Sequence, residues 1–231
     1  MKEKSIELTE YLESWKDCQR CNLCKSTRKG ISLGLGPANS KIVFVAEWPK
    51  DQYSEKEGYP LTGAELDLFQ KSLEFFGTNM NEVFVVPVIS CRPSDDMGTT
   101  TKPQNIHINA CKERLDKTLE IIDPLVVVLI GQKAFNLYGK HEDNKFTYSN
   151  LTNDPRPIEA HFSGISGALI KRSAVVLRPL DWLLEKDPDM KKNGHIQKML
   201  EAMQIAFALL DNYTELLYGW ERPARKEVIH L

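Results

Sequence analysis

Four short apolar runs, each bounded by polar residues, alternate along this chain with longer segments in which apolar residues recur at helical spacing. The runs predict buried strands, because a strand covered on both faces carries apolar side chains at consecutive positions. They lie at residues 42–46, 83–86, 125–130 and 173–177. The helical spacing predicts helices at about 5–17, 61–76, 104–122, 132–138 and 195–217. This alternation is typical of a parallel sheet flanked by helices, so the expected fold is three-layer α/β/α with a central four-stranded parallel sheet.

Nothing in the pattern divides the chain. We find no internal repeat, low-complexity tract or linker among its 231 residues. We expect a single domain over residues 1–231, with a C-terminal helix and tail at about 195–231. Pro49 and the polar stretch after it argue against a helix behind the first strand, and residues 139–170 fit neither period.

Composition adds limits on function. An apolar share of 42% is enough for a sizeable core, and a formal net charge of −2 gives no global signal for a polyanionic partner. No stretch approaches the roughly 20 apolar residues that cross a bilayer. The chain opens Met-Lys-Glu-Lys without an apolar signal segment. We therefore expect a soluble, cytoplasmic monomer with no membrane partner.

Five cysteines divide into a cluster, Cys18, Cys21 and Cys24, and two distant residues, Cys91 and Cys111. A C-x-x-C pair can clasp one metal centre from a single turn, and two further thiols can complete four-fold thiolate ligation. Buried core cysteines and disulfides are the alternatives. Polar spacers disfavour the first, and the odd count and expected reducing compartment disfavour the second. The pattern favours a metal centre, either zinc or an iron–sulfur cluster.

Three segments that follow predicted strands are expected to line one crevice. In parallel sheets, ligands bind outside the carboxyl ends of the strands. Residues 47–50, 87–92 and 178–180 follow the first, second and fourth strands. The chemistry of this chain is therefore expected at these segments.

Motifs between residues 12 and 190 have an order and spacing similar to those of a known family. They are Cys18-x-x-Cys21-x-Leu23 with Arg28, the segments 41–49 (KIVFVAEWP) and 58–63 (GYPLTG), Cys91-Arg92-Pro93, and a block from Cys111 and Leu115 through 122–124 and 129–131 to Ala134. Together they resemble the family 4 iron–sulfur uracil-DNA glycosylases. The resemblance implies the uracil-DNA glycosylase fold, DNA as the partner, and a DNA N-glycosylase, a hydrolase that flips a base out of DNA and excises it.

The resemblance also implies a cofactor. By position, Cys18, Cys21, Cys91 and Cys111 would hold a [4Fe–4S] cluster that braces loops near the DNA. The family match just after Cys21 favours it over Cys24 as the second ligand, and Cys24 is expected to be a non-ligand beside the cluster. A structural zinc on the same fold is the alternative.

The chain departs from the family at positions that contact the base. Pro87 stands where the family has an asparagine that reads the uracil edge, and Leu61 where it has a phenylalanine that stacks on the base. Arg178 replaces a histidine that faces the uracil carbonyl, and Lys50 replaces the second glycine of the first motif. The acid of that motif, Glu47, is retained. A site built to hydrogen-bond its substrate loses orders of magnitude in rate when those partners vanish, so uracil readout is expected to fail.

Base release separates charge, and two residues are candidates to stabilise it. Glu47 would stabilise positive charge on the sugar or orient a water, and Arg178 would face negative charge on the departing base. The other predicted contacts to base or DNA are Trp48, Lys50, Glu55, Leu61, Pro87, Arg92 and Leu180. Glu55 matches a second acidic position only with a one-residue insertion, and a solvated loop is its alternative. Leu180 and Trp182 are candidates for wedges in the minor groove, with a place in the core as the alternative.

Leucine and proline in place of phenylalanine and asparagine predict a roomier and less polar pocket. We therefore expect excision of a bulkier modified pyrimidine, such as a hypermodified phage cytosine, rather than uracil, with a role in defence against phage. The 139–170 segment is expected to supply new contacts from Tyr148, Asn150, Asn153, Arg156 and His161. The alternative is a catalytically silent iron–sulfur protein that binds DNA or a replication partner.

Overall fold

A computed structural model of the protein describes residues 2–24, 28–164, 166–188 and 194–218. Its strands, in chain order, are β1 (Ile42–Ala46), β2 (Phe84–Pro87), β3 (Val126–Ile130), β4 (Ile158–Ser163) and β5 (Leu169–Leu177). Its α-helices are α1 (Lys2–Glu13), α2 (Gln52–Glu57), α3 (Gly63–Phe75), α4 (Asn105–Ile122), α5 (Gln132–Ala134), α6 (Tyr148–Asn153), α7 (Leu180–Lys186) and α8 (His195–Tyr218). A π-helical segment, Phe135–Gly139, continues α5. No helix in these ranges is both long and apolar enough to cross a membrane.

The strands of the described residues form one five-stranded sheet in the order β2-β1-β3-β5-β4. The four strands predicted from apolar runs pair in parallel, with Val43 of β1 opposite both Phe84 of β2 and Val127 of β3. β4 pairs with β5 in the antiparallel sense at the edge of the sheet. The predicted three-layer α/β/α fold is confirmed, and the four-stranded parallel sheet is corrected to a mixed sheet of five.

The extra strand, β4, lies in the segment that the sequence left unassigned. Ala160 and Phe162 are buried in the core, whereas Glu159 and Ser163 are exposed. A half-exposed edge strand carries no uninterrupted apolar run, so the pattern that marks the central strands is missing. β5 begins earlier than predicted because its extension pairs with β4.

Alternate strand positions contribute to two cores, one on each face of the sheet. Val43 and Val45 join the core that contains side chains of α1 and α4. Ile42 and Phe44 join the core that contains side chains of α3, α7 and α8. Every position of β1 is buried as a result. Coverage on both faces is the physical reason for the consecutive apolar residues of the central strands.

Short helices also form outside the predicted set, and α2 shows why. Pro49 and the polar residues after it predicted no helix, and this is wrong from Gln52 onward. The Asp51 carboxylate accepts a hydrogen bond from the Ser54 N–H at 2.7 Å, and the Ser54 hydroxyl accepts one from the Asp51 N–H at 3.2 Å. Gly58, with φ of 74°, ends the helix. Such capping stabilises a single helical turn or two without apolar periodicity.

Candidate active site

Glu47 follows β1 and lies in the predicted crevice with 8% of its surface exposed. The backbone N–H of Lys133, in α5, donates to Glu47 Oε1 at 3.1 Å. Gly131, the residue after β3, leaves room for the carboxyl group, since a Cβ at this position would lie 2.4 Å from Glu47 Cδ. The turn after a neighbouring strand therefore holds the carboxylate in place.

Lys50 bridges two carboxylates beside this site. Its ammonium lies 3.4 Å from Glu47 Oε2 and 3.2 Å from Asp181 Oδ2. The same ammonium lies over the Trp48 ring, 4.1 Å from the ring centroid, which is the geometry of a cation–π contact. Lys50 therefore occupies space directly beside the candidate catalytic carboxylate.

Glu65, in the first turn of α3, is a site residue that sequence reasoning missed. It lines the same cavity as Glu47 and Lys50. Burial, together with the Asp181 carboxylate, raises the pKa of Glu65 to about 7, although Lys50 acts in the opposite direction. A carboxyl group with this pKa is partly protonated near neutral pH and can donate a hydrogen bond. The one signal in the sequence is its place in the first turn of the helix predicted to begin at Leu61.

The cavity at this point holds about 10 Å³, room for about one water molecule. Five predicted site residues line it: Glu47, Trp48, Lys50, Leu61 and Leu180. The expectation of a roomier pocket is wrong in this conformation, because the Lys50 side chain and the Trp48 ring pack against each other at its wall. Segment 47–50 and residues 179–180 converge on this small space as predicted, whereas no residue of segment 87–92 lines it.

Arg178 is held beside this region by the segment that the sequence left unassigned. Its Nη2 donates to Asn153 Oδ1 at 2.8 Å, its guanidinium lies 4.4 Å from the Trp182 ring centroid, and its Nε is buried without a hydrogen-bond partner. Burial raises the pKa of the Tyr148 phenol, and Glu47 raises it further while Arg178 lowers it. Tyr148 therefore lies near both predicted catalytic residues.

The remaining predicted contacts of that segment are engaged elsewhere. Asn150 accepts a hydrogen bond from the Thr147 hydroxyl at the start of α6, Arg156 pairs with Asp154, and His161 stacks on His141. Of the five residues named from the sequence, the structure brings Tyr148 and Asn153 towards the crevice.

Apolar residues occupy the places where the resemblance puts base readout. Pro87 ends β2 opposite Ala46, and its carbonyl oxygen accepts a hydrogen bond from Arg114. Leu61 is buried in the core that contains α3. Neither side chain can form a hydrogen bond with a base. Leu180 is 1% exposed in the same core, so its predicted insertion into the minor groove is wrong in this conformation and its alternative, a place in the core, is correct.

Arg92 and Glu55 form a buried ion pair instead of a surface for DNA. Arg92 Nε lies 3.6 Å from Glu55 Oε2, and their side chains are 2% and 1% exposed. The guanidinium also donates to Thr100 Oγ1 at 2.7 Å and to the Gly98 carbonyl at 3.0 Å. This burial contradicts the predicted DNA contacts of both residues and also the solvated loop proposed as the alternative for Glu55. The pair anchors the 94–100 loop against α2.

Cysteines from distant parts of the chain approach one another. Cys91 and Cys111 are buried in the core that contains α1 and α4, and Cys21 packs against it. Burial raises the pKa of the Cys91 thiol to about 12, and the thiols of Cys111 and Cys21 act in the same direction. Arg28 donates to the Cys18 carbonyl at 2.7 Å and also hydrogen-bonds the Cys91 thiol. Cys21, Cys91 and Cys111 therefore lie near one another, and the Arg28 side chain connects the Cys18 backbone to the same region.

Comparison with known proteins agrees with the geometry. A family model described as the uracil DNA glycosylase superfamily matches residues 33–204. Type-4 uracil-DNA glycosylases from three organisms are similar to this chain. The Archaeoglobus fulgidus protein is 28% identical over 82% of this chain and 92% of its own length, and the Sulfurisphaera tokodaii protein is 29% identical over 63% of this chain and 63% of its own length. The Thermotoga maritima protein is 32% identical over 57% of this chain and 66% of its own length. The predicted family is confirmed, and the similar proteins carry the name of the predicted class of enzyme, a DNA glycosylase. Since the family model covers well over half of the chain, the protein belongs to the uracil-DNA glycosylase superfamily.

Proposed function

We propose that this protein flips a nucleotide out of DNA, cleaves its N-glycosyl bond and leaves an abasic site. One observation carries the proposal: the Glu47 carboxylate is buried and is held by the Lys133 N–H at the carboxyl edge of the sheet. As the bond breaks, positive charge gathers on the sugar, and a fixed carboxylate stabilises it or orients the attacking water. A group already held in position needs no reorganisation at the moment of reaction.

In this proposal the departing base is a modified pyrimidine rather than plain uracil. Pro87 and Leu61 offer it no hydrogen bond and no aromatic face. Lys50 and Glu65 are polar groups that line the cavity with Glu47. Lys50 donates hydrogen bonds, and a protonated Glu65 both donates and accepts them. Such groups suit a pyrimidine with polar substituents, for which a hypermodified phage cytosine is one example.

Arg178 is proposed as a cation near the departing base. A guanidinium offers forked hydrogen-bond donors to an anionic group, and the contacts with Asn153 and Trp182 fix its direction. Lys50, which lines the cavity, is the competing candidate. Single-turnover excision separates them: an undiminished rate in Arg178→Ala with a strongly reduced rate in Lys50→Met would assign the role to Lys50.

A base can enter only when side chains that line the cavity move, because the cavity holds about 10 Å³, and Lys50 is the more exposed partner of its ion pair with Glu47. The Lys50 side chain is 25% exposed and its Asp181 partner 45%. Ion pairs that reach solvent contribute about 0.2–1 kcal/mol, whereas flipping a nucleotide costs a few kcal/mol. The pair with Asp181 is therefore a small part of the cost of opening. When Lys50 moves, its contacts with the buried Glu47 carboxylate and with the Trp48 ring must also break.

We also propose that Cys18, Cys21, Cys91 and Cys111 hold a [4Fe–4S] cluster. Four thiolates match the ligand set of a [4Fe–4S] cluster, and Cys21, Cys91 and Cys111 lie near one another in the fold. A structural zinc on the same four residues is the alternative. A bound cluster would cross-link the amino-terminal turn to the two buried cysteines.

The experiment is a panel of DNA substrates with different modified pyrimidines, read by detection of abasic sites and by mass spectrometry of released bases. Genomic DNAs, including phage DNAs, extend the panel. The expected result is release of a modified base with little release of uracil. Glu47→Gln is the matched control, because it keeps the shape of the side chain and should bind the DNA without releasing the base. Uracil excision at the rate of a type-4 enzyme would contradict the altered pocket.

The small volume of the cavity favours a second candidate function. Lys50 already pairs with Glu47, and a catalytically silent protein that binds DNA or a replication partner would tolerate that arrangement permanently. Under this alternative, Glu47→Gln leaves every cellular phenotype unchanged and no base is released from any DNA. Under the proposed activity, the same substitution stops release while DNA binding persists.

We infer that the protein acts as a cytoplasmic, single-domain monomer, in DNA repair or in defence against phage. The two settings differ in their substrate. In a defence role, phage with modified DNA should form fewer plaques on cells that express the wild-type protein than on cells that express Glu47→Gln. In a repair role, plaque counts should be equal and mutation rates should differ.

A further inference from the structure

A group of three ligand-type side chains lies away from the candidate active site. A ring nitrogen of His141, a ring nitrogen of His161 and a carboxylate oxygen of Asp143 all lie within 4.8 Å of one another. His161 belongs to the edge strand β4, and the other two belong to the turn that follows the π-helical segment. The imidazole rings are stacked, with centroids 3.6 Å apart and planes at 12°.

The hydrogen bonds of the two histidines define where their protons sit. His141 Nε2 lies 3.0 Å from the carbonyl oxygen of Glu159. Because a carbonyl oxygen only accepts, this nitrogen carries the proton and Nδ1 carries the lone pair. His161 Nε2 lies 3.3 Å from the Glu159 carboxylate, which accepts a hydrogen bond from it. His141 Nδ1 is buried and has no hydrogen-bond partner. Glu159 therefore engages Nε2 of both rings, and Nδ1 of each neutral ring is the atom left to act as a ligand.

We propose that His141, Asp143 and His161 bind a divalent transition metal of the zinc class. Two neutral imidazoles and a carboxylate are ligands that zinc prefers, whereas calcium and magnesium select oxygen. Ligating histidines nearly always donate their other N–H to a carbonyl or a carboxylate, which is the arrangement that Glu159 provides. A metal would also satisfy the buried His141 Nδ1.

Lys171 shows what the metal must displace. Its ammonium lies 3.8 Å from the Asp143 carboxylate and 3.5 Å from the Glu159 carboxylate. A divalent cation competes with this ammonium for Asp143, so Lys171→Gln should bind the metal more tightly. A metal also lies close to the plane of each ligating ring, so the stacked rings must turn apart on binding. The metal would then tie the 140–144 turn to β4, just ahead of α6, which carries Tyr148 and Asn153 to the crevice.

Titration of the purified protein with Zn²⁺, followed by calorimetry and thermal unfolding, tests the site. We expect wild type to bind about one more Zn²⁺ per chain than Asp143→Asn or His161→Gln. Where a variant still binds this ion, its affinity should be lower by at least roughly 10- to 100-fold, which is the loss caused by removing an outer partner of a metal ligand. Its midpoint of thermal unfolding should rise further with Zn²⁺ than theirs. Asp143 is largely exposed, so its substitution leaves the fold intact. His195→Gln, a change in α8 outside this group, is the matched control and should behave as wild type.

Cysteine thiolates are also zinc ligands, and Co²⁺ separates the two sites. Cobalt on the histidine site should show visible absorbance without the thiolate charge-transfer band of a cysteine site, and this component should be lost in His141→Gln. Equal Zn²⁺ stoichiometry, affinity and thermal shift in wild type, Asp143→Asn and His161→Gln would overturn the proposal. None of these readouts depends on base excision, so the result stands apart from the proposed function.

Discussion

Gly131 and Glu47 approach so closely that one position restricts the other. A Cβ on Gly131 would lie 2.4 Å from Glu47 Cδ, 2.5 Å from Cγ and 2.6 Å from Oε1. Gly131 also has φ of 89°, a conformation that side chains with a Cβ rarely adopt. The turn after β3 therefore holds the carboxylate only while this residue is glycine.

Gly131→Ala should slow base excision by roughly 10²-fold while DNA binding persists. The methyl group forces the Glu47 carboxyl from its place, and a displacement of about 1 Å can cost roughly 10²-fold in rate. Single-turnover excision and DNA binding measure the two effects. Gly77→Ala is the matched control, because Gly77 has φ of 68° with nothing within 4 Å of its built Cβ. Equal loss of activity in both variants would show that backbone strain, and not contact with Glu47, is responsible.

Glu65 should make the stability of the fold depend on pH. Its pKa is raised from 4.5 to about 7, so between these values the folded chain binds more protons than the unfolded chain, and stability falls as pH rises. The loss is complete above about pH 7 and is on the order of 3 kcal/mol. Urea unfolding of wild type and Glu65→Gln at pH 5 and pH 8 measures it, and the variant should lack this component. Asp181→Asn should move the window to lower pH, because Asp181 raises the pKa of Glu65.

Breaking the buried Glu55–Arg92 pair should destabilise the protein by about 3–5 kcal/mol, because one charge is left buried without its partner. Arg92→Met tests this by urea unfolding, and the double variant with Glu55→Gln should recover part of the loss. Arg156→Ala breaks the exposed pair with Asp154 and should cost less than about 1 kcal/mol. A loss of DNA affinity in Arg92→Met at unchanged stability would instead restore its predicted role as a DNA contact.

Serine substitutions should distinguish Cys24 from the four proposed ligands. Cys24→Ser should keep the brown colour and iron content of the wild-type protein, whereas Cys111→Ser should lose most of both. Iron per folded chain, with folding checked by circular dichroism, is the measurement. If Cys24→Ser loses as much iron as Cys111→Ser, the ligand set is wrong, and an iron-free wild type would favour a structural zinc.

The local pattern of apolar residues was sufficient to predict a strand where every position of that strand is buried. Every position of β1 is buried, so its apolar run marked a central strand, and the residue after it, Glu47, could be placed in a crevice from the order of residues alone. The same reasoning missed β4, because exposed residues such as Glu159 interrupt its apolar positions and only its pairing with β5 defines it as a strand. It also missed Glu65, because nothing local to this carboxylate signals that Asp181 and Lys50 surround it.

The sequence by itself determined the order of the central strands along the chain, the acid at the end of the first strand and the grouping of cysteines, because each is written in spacing between neighbouring residues. Only the tertiary structure decided that Arg92 is buried against Glu55 and that Lys50 pairs with Glu47 beside the cavity. Periodicity reports which faces of an element are covered. It carries no information on which charged side chains of separate loops contact one another. Those contacts determine how far each charged group is buried.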